Sequence, residues 1–390
     1  MKFASYLALI VAALPLAVAA RSPAPDPVLT PIVADTMYPP QAVPGSDGRL
    51  HLVYELGLAN VAPAVAEFLK VEVLDAGSGD TLLTMEREEI GRRLSIGGRR
   101  GAESSDLGAG QIAVMFIHVA LDAERAAPAA IVHRLTLRVM LGEPIDIVET
   151  AGGTEVDGRP PPVLGPPLAG GGYVAADGCC DSVRHIRALL PLNGRFTLAQ
   201  RFAIDWEQVD DENRLFRGDR HVPESYTIYG REVLAVADGT VVASRNDLPE
   251  QIPGALPVDL PLSEVDGNFV VLDIGGGVHV LYAHLQPGSV LVSAGTPVKR
   301  GDIIGRVGNT GSSQVPHLHL HVMDGPSPLL SNGIPYVFDS FTVTAINRAG
   351  TADLEAAEAT GRPMALTPLS PRQRFHKVLP LDLSIVEFSR

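Results

Sequence analysis

Apolar and polar positions alternate with period two through much of the first third of the chain. Leu50, Leu52, Tyr54, Leu56 and Leu58 are separated by His51, Val53, Glu55 and Gly57. Leu69, Val71 and Val73 alternate with Lys70 and Glu72, and Leu135, Leu137, Val139 and Leu141 with Arg134, Thr136 and Arg138. Such alternation puts one face of a strand in a core and the other toward solvent. Ile112 to Leu121 is apolar on both faces and predicts a central strand. Short strands with turn residues between them predict an immunoglobulin-like β-sandwich over residues 27–142, entered through a proline-rich lead-in. The Cys–Trp–Cys spacing of antibody domains is absent, so the expectation rests on pattern alone. His51, His118 and His133 fall in these strands and read as structural or surface residues.

From Gly142 to Gly178 the periodicity fails. Pro160-Pro-Pro-Val-Leu-Gly-Pro-Pro and Gly170-Gly-Gly predict a linker over residues 143–178, stiff at its proline end and loose at its glycine end. A second β-rich region follows over residues 179–345. Asn193-Gly194 separates Arg187-Ala-Leu-Leu-Pro-Leu from the run Arg195 to Asp205, a hairpin signal. Asp238-Gly239 separates Val233–Ala237 from Thr240–Ala243 in the same way. No amphipathic helix of useful length occurs between residues 185 and 340, so the fold class is all-β. In the tail, 346–390, Ala352 to Thr360 suits a short helix and Leu379 to Phe388 an added edge strand.

Composition narrows the class. The 390 residues leave room for two domains, and with 46% apolar and 19% charged residues a sizeable core is feasible. A net charge of −14 argues against a nucleic-acid partner, whose phosphates need a basic footprint. Residues 1–20 have the form of an export signal: Lys2, an apolar run to Val18, and the small-x-small site Ala17-Val18-Ala19. Beyond them no run of apolar residues is long enough to span a bilayer, so a secreted or periplasmic protein is expected. The adjacent Cys179 and Cys180 leave a vicinal disulfide, an intermolecular bridge and two free thiols all open. A zinc site built from them lacks a second cysteine pair.

Candidate chemistry concentrates in two strand-like runs, Leu281-Tyr-Ala-His-Leu and Pro316-His-Leu-His-Leu-His321. His317, His319 and His321 alternate with Leu318, Leu320 and Val322, which puts three imidazoles on one face and three aliphatics on the other. Imidazole ligates zinc and exchanges protons near neutral pH. His284 ends the other run and offers a further imidazole.

Val233-Leu-Ala-Val-Ala-Asp-Gly-Thr-Val-Val, Tyr282-Ala-His-Leu, Val298-Lys-Arg-Gly-Asp-Ile-Ile-Gly, Gly308-Asn-Thr-Gly and Pro316-His-Leu-His follow one another in an order and spacing that resemble the M23 family, over roughly residues 185–340. These are the zinc endopeptidases of lysostaphin and LytM type. The resemblance implies an antiparallel β-sheet peptidase domain, a Zn²⁺ cofactor and peptidoglycan peptide as substrate. It implies His319 as a metal ligand, with His284 and His317 flanking the ion as catalytic residues. The family's first motif is His-x-x-x-Asp, both residues being ligands. Here Asp205 holds the aspartate position and Arg201 the histidine position, with Gln200 beside it. A guanidinium has no lone pair to donate. His185 is the leading replacement ligand, His221 a weaker one, and a site without a third histidine stays open. If Asn193-Gly194 closes a two-residue loop, His185 falls opposite Phe202, where strict alternation puts it on the other face from Asp205 unless a bulge intervenes. His321 lies one pleat beyond and reads as support for the ligands or as surface.

The implied function is a secreted zinc-dependent endopeptidase hydrolysing peptide bonds of peptidoglycan cross-links or stem peptides. The altered first motif favours an alternative, a catalytically inactive wall-binding or regulatory protein of the same fold. The hairpins also resemble lipoyl and biotinyl carrier domains, but no lysine stands at Asp238-Gly239 to carry the group. Nothing in the sequence sets the oligomeric state.

Overall fold

The computed structural model describes residues 28, 30–99, 101–122 and 124–389. The export-signal pattern of residues 1–20 lies outside them. Among the described residues no helix is long and apolar enough to cross a membrane. Residues 31–390 form one compact unit.

The N-terminal part is a sandwich of two five-stranded sheets, antiparallel throughout. In the first, β1 (Arg49–Asn60) pairs with β2 (Ile112–Asp122) over nearly their whole lengths. In the second, β3 (Glu143–Glu155) pairs with Ala130–Leu141, which pairs in turn with Ala66–Asp75. Leu52, Tyr54 and Leu56 of β1 and Met115 and Ile117 of β2 meet Phe68, Val71, Leu135 and Leu137 in a shared core. The opposite face of the first sheet is covered as well. Val53, Val114 and Phe116 belong to the same buried cluster as Ile186, Leu198 and Phe202 of the second region. That explains why Ile112 to Leu121 is apolar on both faces.

Residues 143–178 differ from the expected linker. β3 is a long outer strand whose side chains are mostly exposed, so its sequence shows no alternation, and Pro144 suits an edge position. β4 (Gly170–Ala176) lies inside a sheet. Its glycines mark a register shift: Gly172 has φ +77°, and a Cβ there would stand 2.7 Å from the carbonyl oxygen of Val209.

The second region is built on a ten-stranded sheet. β5 (Ile204–Gln208), β6 (His279–Leu285), β7 (Leu318–Met323) and β8 (Ser384–Phe388) take part in it. Its order is Pro297–Val298, Gly239–Arg245, Asn268–Asp273, β6, β7, β5, β4, β8, Phe341–Asn347, Leu366–Phe375. Two expectations are corrected. The runs around Asp238-Gly239 do not pair with each other: Glu232–Leu234 pairs with Ile303–Arg306, and Gly239–Arg245 with Asn268–Asp273 and Pro297–Val298. Both arms are apolar and find partners in different sheets. The C-terminal run does not add an edge, because β8 sits between β4 and Phe341–Asn347. The helix in the tail forms as α1 (Thr351–Thr360), closed by Gly361 in the left-handed conformation.

Candidate metal centre

The centre of the large sheet brings the histidines and Asp205 together. Register sets Asp205 of β5 directly opposite His319 of β7, and opposite residues of an antiparallel pair share a face. Asp205 Oδ1 lies 2.7 Å from His319 Nδ1 and 3.4 Å from His317 Nε2. Leu318, Leu320 and Val322 point the other way, into the core. His284 follows Ala283, the partner of His319 on the other side of β7. Its φ of +61°, unusual for a residue with a Cβ, breaks the alternation of β6 at its end and lets the ring join the same group.

His185 also reaches the site, its Nε2 3.3 Å from Asp205 Oδ2. Hairpin pairing does not bring it there. The Asn193-Gly194 hairpin extends only from Leu190–Leu192 to Arg195–Thr197. His185 precedes it in an irregular turn, so strand alternation does not govern its face. His185 Nδ1–H instead donates to the carbonyl of Asp177 at 2.9 Å.

The same device recurs around the site. His284 Nδ1–H donates to the carbonyl of Thr310 at 2.8 Å, and His317 Nδ1–H to that of Val315 at 2.8 Å. In His284 and His317 the bonded nitrogen carries the proton, so the other presents its lone pair, and in His185 it is Nε2 that faces Asp205. His319 is set the opposite way round: Nδ1 faces Asp205, while Nε2 lies 2.9 Å from Nδ1 of the fully buried His321. Two donor sets result, each with its atoms within 4.8 Å of one another: His185, Asp205 and His319, and His284, His317 and His319.

Electrostatics agree with this grouping. Burial alone would raise the Asp205 carboxyl, but His185, His317 and His319 hold it well below its ordinary value. Burial works to lower His185, yet Asp205 outweighs it and brings it up to about 9. Burial and the charges of His317 and His319 keep His284 well below its usual value.

His221 is exposed and lies outside both donor sets. Gln200 lines the cleft over the site, and Arg201 turns away from it. Arg201 meets both carboxylate oxygens of Glu55 at 2.8 and 2.6 Å and also donates to Asn332 Oδ1 and the Gly333 carbonyl. The cleft, about 380 Å³, is further lined by Asp177, Arg184, Glu207 and Glu358, none of which the strand pattern singles out. Glu358 comes from α1 in the tail. Burial and the neighbouring Glu358 carboxyl hold Glu207 well above its ordinary value.

Known proteins match parts of this chain. The model of Peptidase family M23 matches residues 225–330. An uncharacterized metalloprotease of Haemophilus influenzae is 31% identical over 174 residues, 40% of this chain and 33% of that protein. The peptidoglycan DD-endopeptidase ShyA of Vibrio cholerae is 30% identical over 148 residues, 37% of this chain and 28% of that protein. The chain thus spans about a third of the length of these relatives. Among solved structures, the catalytic domain of lysostaphin from Staphylococcus simulans is 23% identical, with 37% of this chain and 80% of that one covered at a TM-score of 0.22. A zinc-containing peptidase from Vibrio cholerae is 15% identical, with coverage of 77% and 83% and a TM-score of 0.23. The matched segment holds His284, His317 and His319 but begins after Asp205 and His185, and through it the chain carries a domain of peptidase family M23.

Proposed function

We propose that the protein is a zinc-dependent endopeptidase working outside the cytoplasm on peptide bonds of peptidoglycan, at cross-links or in stem peptides. One observation carries the reading: His185 Nε2, the Asp205 carboxylate and His319 Nδ1 converge at the floor of an open cleft. Two imidazole nitrogens and a carboxylate, with one side free, are the donor chemistry of a catalytic zinc site, so the residues fit the ion. Bound there, zinc supplies Lewis acidity and lowers the pKa of water.

The surrounding side chains do the rest. His185 and Asp205 bind, and the Asp177 carbonyl keeps the His185 ring oriented. His321 accepts from His319 Nε2–H and so leaves His319 Nδ1 free of its proton. His284 and His317 are tied through Nδ1 to backbone carbonyls and turn Nε2 toward the cleft. A neutral Nε2 takes a proton from the attacking water and returns it to the leaving amine. Once protonated, it donates to the oxygen that gains charge. The name of the Vibrio relative supports the substrate class, and the export-signal pattern of residues 1–20 supports the compartment.

Purified protein should hold about one zinc per chain at this centre, lost in His319→Ala, and should release peptides from isolated wall fragments. Chelation should abolish release, and added zinc should restore it. Zinc-loaded protein that binds wall fragments without cutting them would identify a binding or regulatory member of the family instead.

A further inference from the structure

Two histidines outside the peptidase centre lie together on the covered face of the sandwich. Val53 of β1 pairs with His118 of β2, so His51 and His118 are diagonal neighbours one pleat apart. Their rings stack with centroids 5.2 Å apart, and His51 Nδ1 is 2.9 Å from His118 Nε2. Cys180, arriving from the second region, completes a set whose three donor atoms lie within 4.8 Å of one another. His51 is 2% exposed and Cys180 6%.

His51 Nε2–H donates to Asp47 Oδ1 at 3.0 Å, which leaves the Nδ1 lone pair facing the cluster. A carboxylate behind an imidazole is the arrangement that orients metal-bound histidines. Gly45 closes against the back of the same ring, where a Cβ would stand 2.5 Å from Nε2. Burial pushes His118 down to about 3, so its ring is neutral in ordinary conditions. In the structure Cys179 and Cys180 are joined as a disulfide.

We propose that His51, His118 and Cys180 form a second metal site, which takes one zinc ion when the Cys179–Cys180 disulfide is reduced. In the oxidised protein Cys180 has no thiolate to give. An external dithiol supplies two electrons and two protons: its own sulfurs become a disulfide, the Cys179–Cys180 bond breaks, and both cysteines become thiols. Zinc binding then displaces the Cys180 proton to solvent. Two imidazoles and a thiolate favour zinc over hard cations such as magnesium or calcium. Tetrahedral zinc holds its nitrogen ligands about 3.3 Å apart, so the two rings need to separate by only roughly 0.4 Å. The bound ion would pin the sandwich to the segment that leads into His185.

This site is independent of the peptidase reading, and the test separates the two. The zinc content of the His319→Ala protein is measured with and without a phosphine reductant, which removes the first centre from the count. About one zinc per chain is expected after reduction and none before it. Adding His118→Ala should abolish that zinc, while adding Cys179→Ser should allow binding without reductant, because Cys180 then has no disulfide partner. Reduced protein that takes up no zinc, or uptake that His118→Ala leaves unchanged, would overturn the proposal. Should these variants fail to fold, cobalt titration of the reduced natural protein reads the same site. A thiolate-to-cobalt charge-transfer band must then appear on reduction, and its absence would equally refute the site.

Discussion

The guanidinium of Arg201 is 4% exposed in its side chain and faces a Glu55 carboxylate that is wholly buried. The pair joins β1 of the sandwich to the turn before Asp205, at the position where the resembling family carries a zinc ligand. Removing one partner of a buried ion pair strands the other charge. Arg201→Met should therefore cost about 3–5 kcal/mol in urea unfolding, and the double variant with Glu55→Leu should recover most of it. Zinc content should not change in the double variant, because Arg201 belongs to neither donor set. A second residue sets a pH dependence. His133 Nδ1–H donates to the Gly152 carbonyl, Tyr54 Oη lies 2.8 Å from Nε2, and burial lowers this histidine to about 4. Unfolded, it titrates near 6.5, so between pH 6.5 and 4 the unfolded chain takes a proton that the folded one refuses. Its contribution to stability is thus complete above pH 6.5 and is lost as pH falls through that window. The melting temperature should drop accordingly, and His133→Gln should flatten the drop.

At the level of elements, the strands that carry chemistry are readable because their side chains obey period two. His317 and His319 sit on a polar face backed by Leu318 and Leu320, and Asp205 lies opposite His319 by register. His284 departs from that rule through one left-handed backbone angle, which no residue pattern announces. His185 departs further. Its position depends on a turn and on one hydrogen bond to the Asp177 carbonyl, and pairing rules have no hold on a residue outside a strand. Replacing it tests whether the turn supplies a ligand: His185→Ala should remove the metal and the cleavage activity together, whereas Gln200→Ala should be mild. The reverse order, read by metal analysis and peptide release, would assign the third ligand to Gln200. The stretch 143–178 resists reading for a different reason. An exposed edge strand shows no polar contrast, and the glycines of β4 mark a register shift inside a sheet.

Across the whole molecule, the covered face of β1 and β2 gives the sandwich and the second region a common core. That double coverage is written in the sequence as Ile112 to Leu121, but what covers the second face is not, because contact between distant segments leaves no local mark. The tail behaves likewise. β8 pairs with β4 on one side and Phe341–Asn347 on the other, and α1 delivers Glu358 to the cleft. Ending the chain after residue 375 should therefore expose two interior strands. Loss of cooperative unfolding and rapid proteolysis of the entire second region are expected, where trimming a true edge would leave a folded sheet.

The place of β8 also sets an order of assembly. During synthesis the strands bearing His284, His317 and His319 emerge first, while the slot between β4 and Phe341–Asn347 stays vacant until residues 384–388 have left the ribosome. A nascent chain thus carries every histidine of the centre before the sheet that holds them can close.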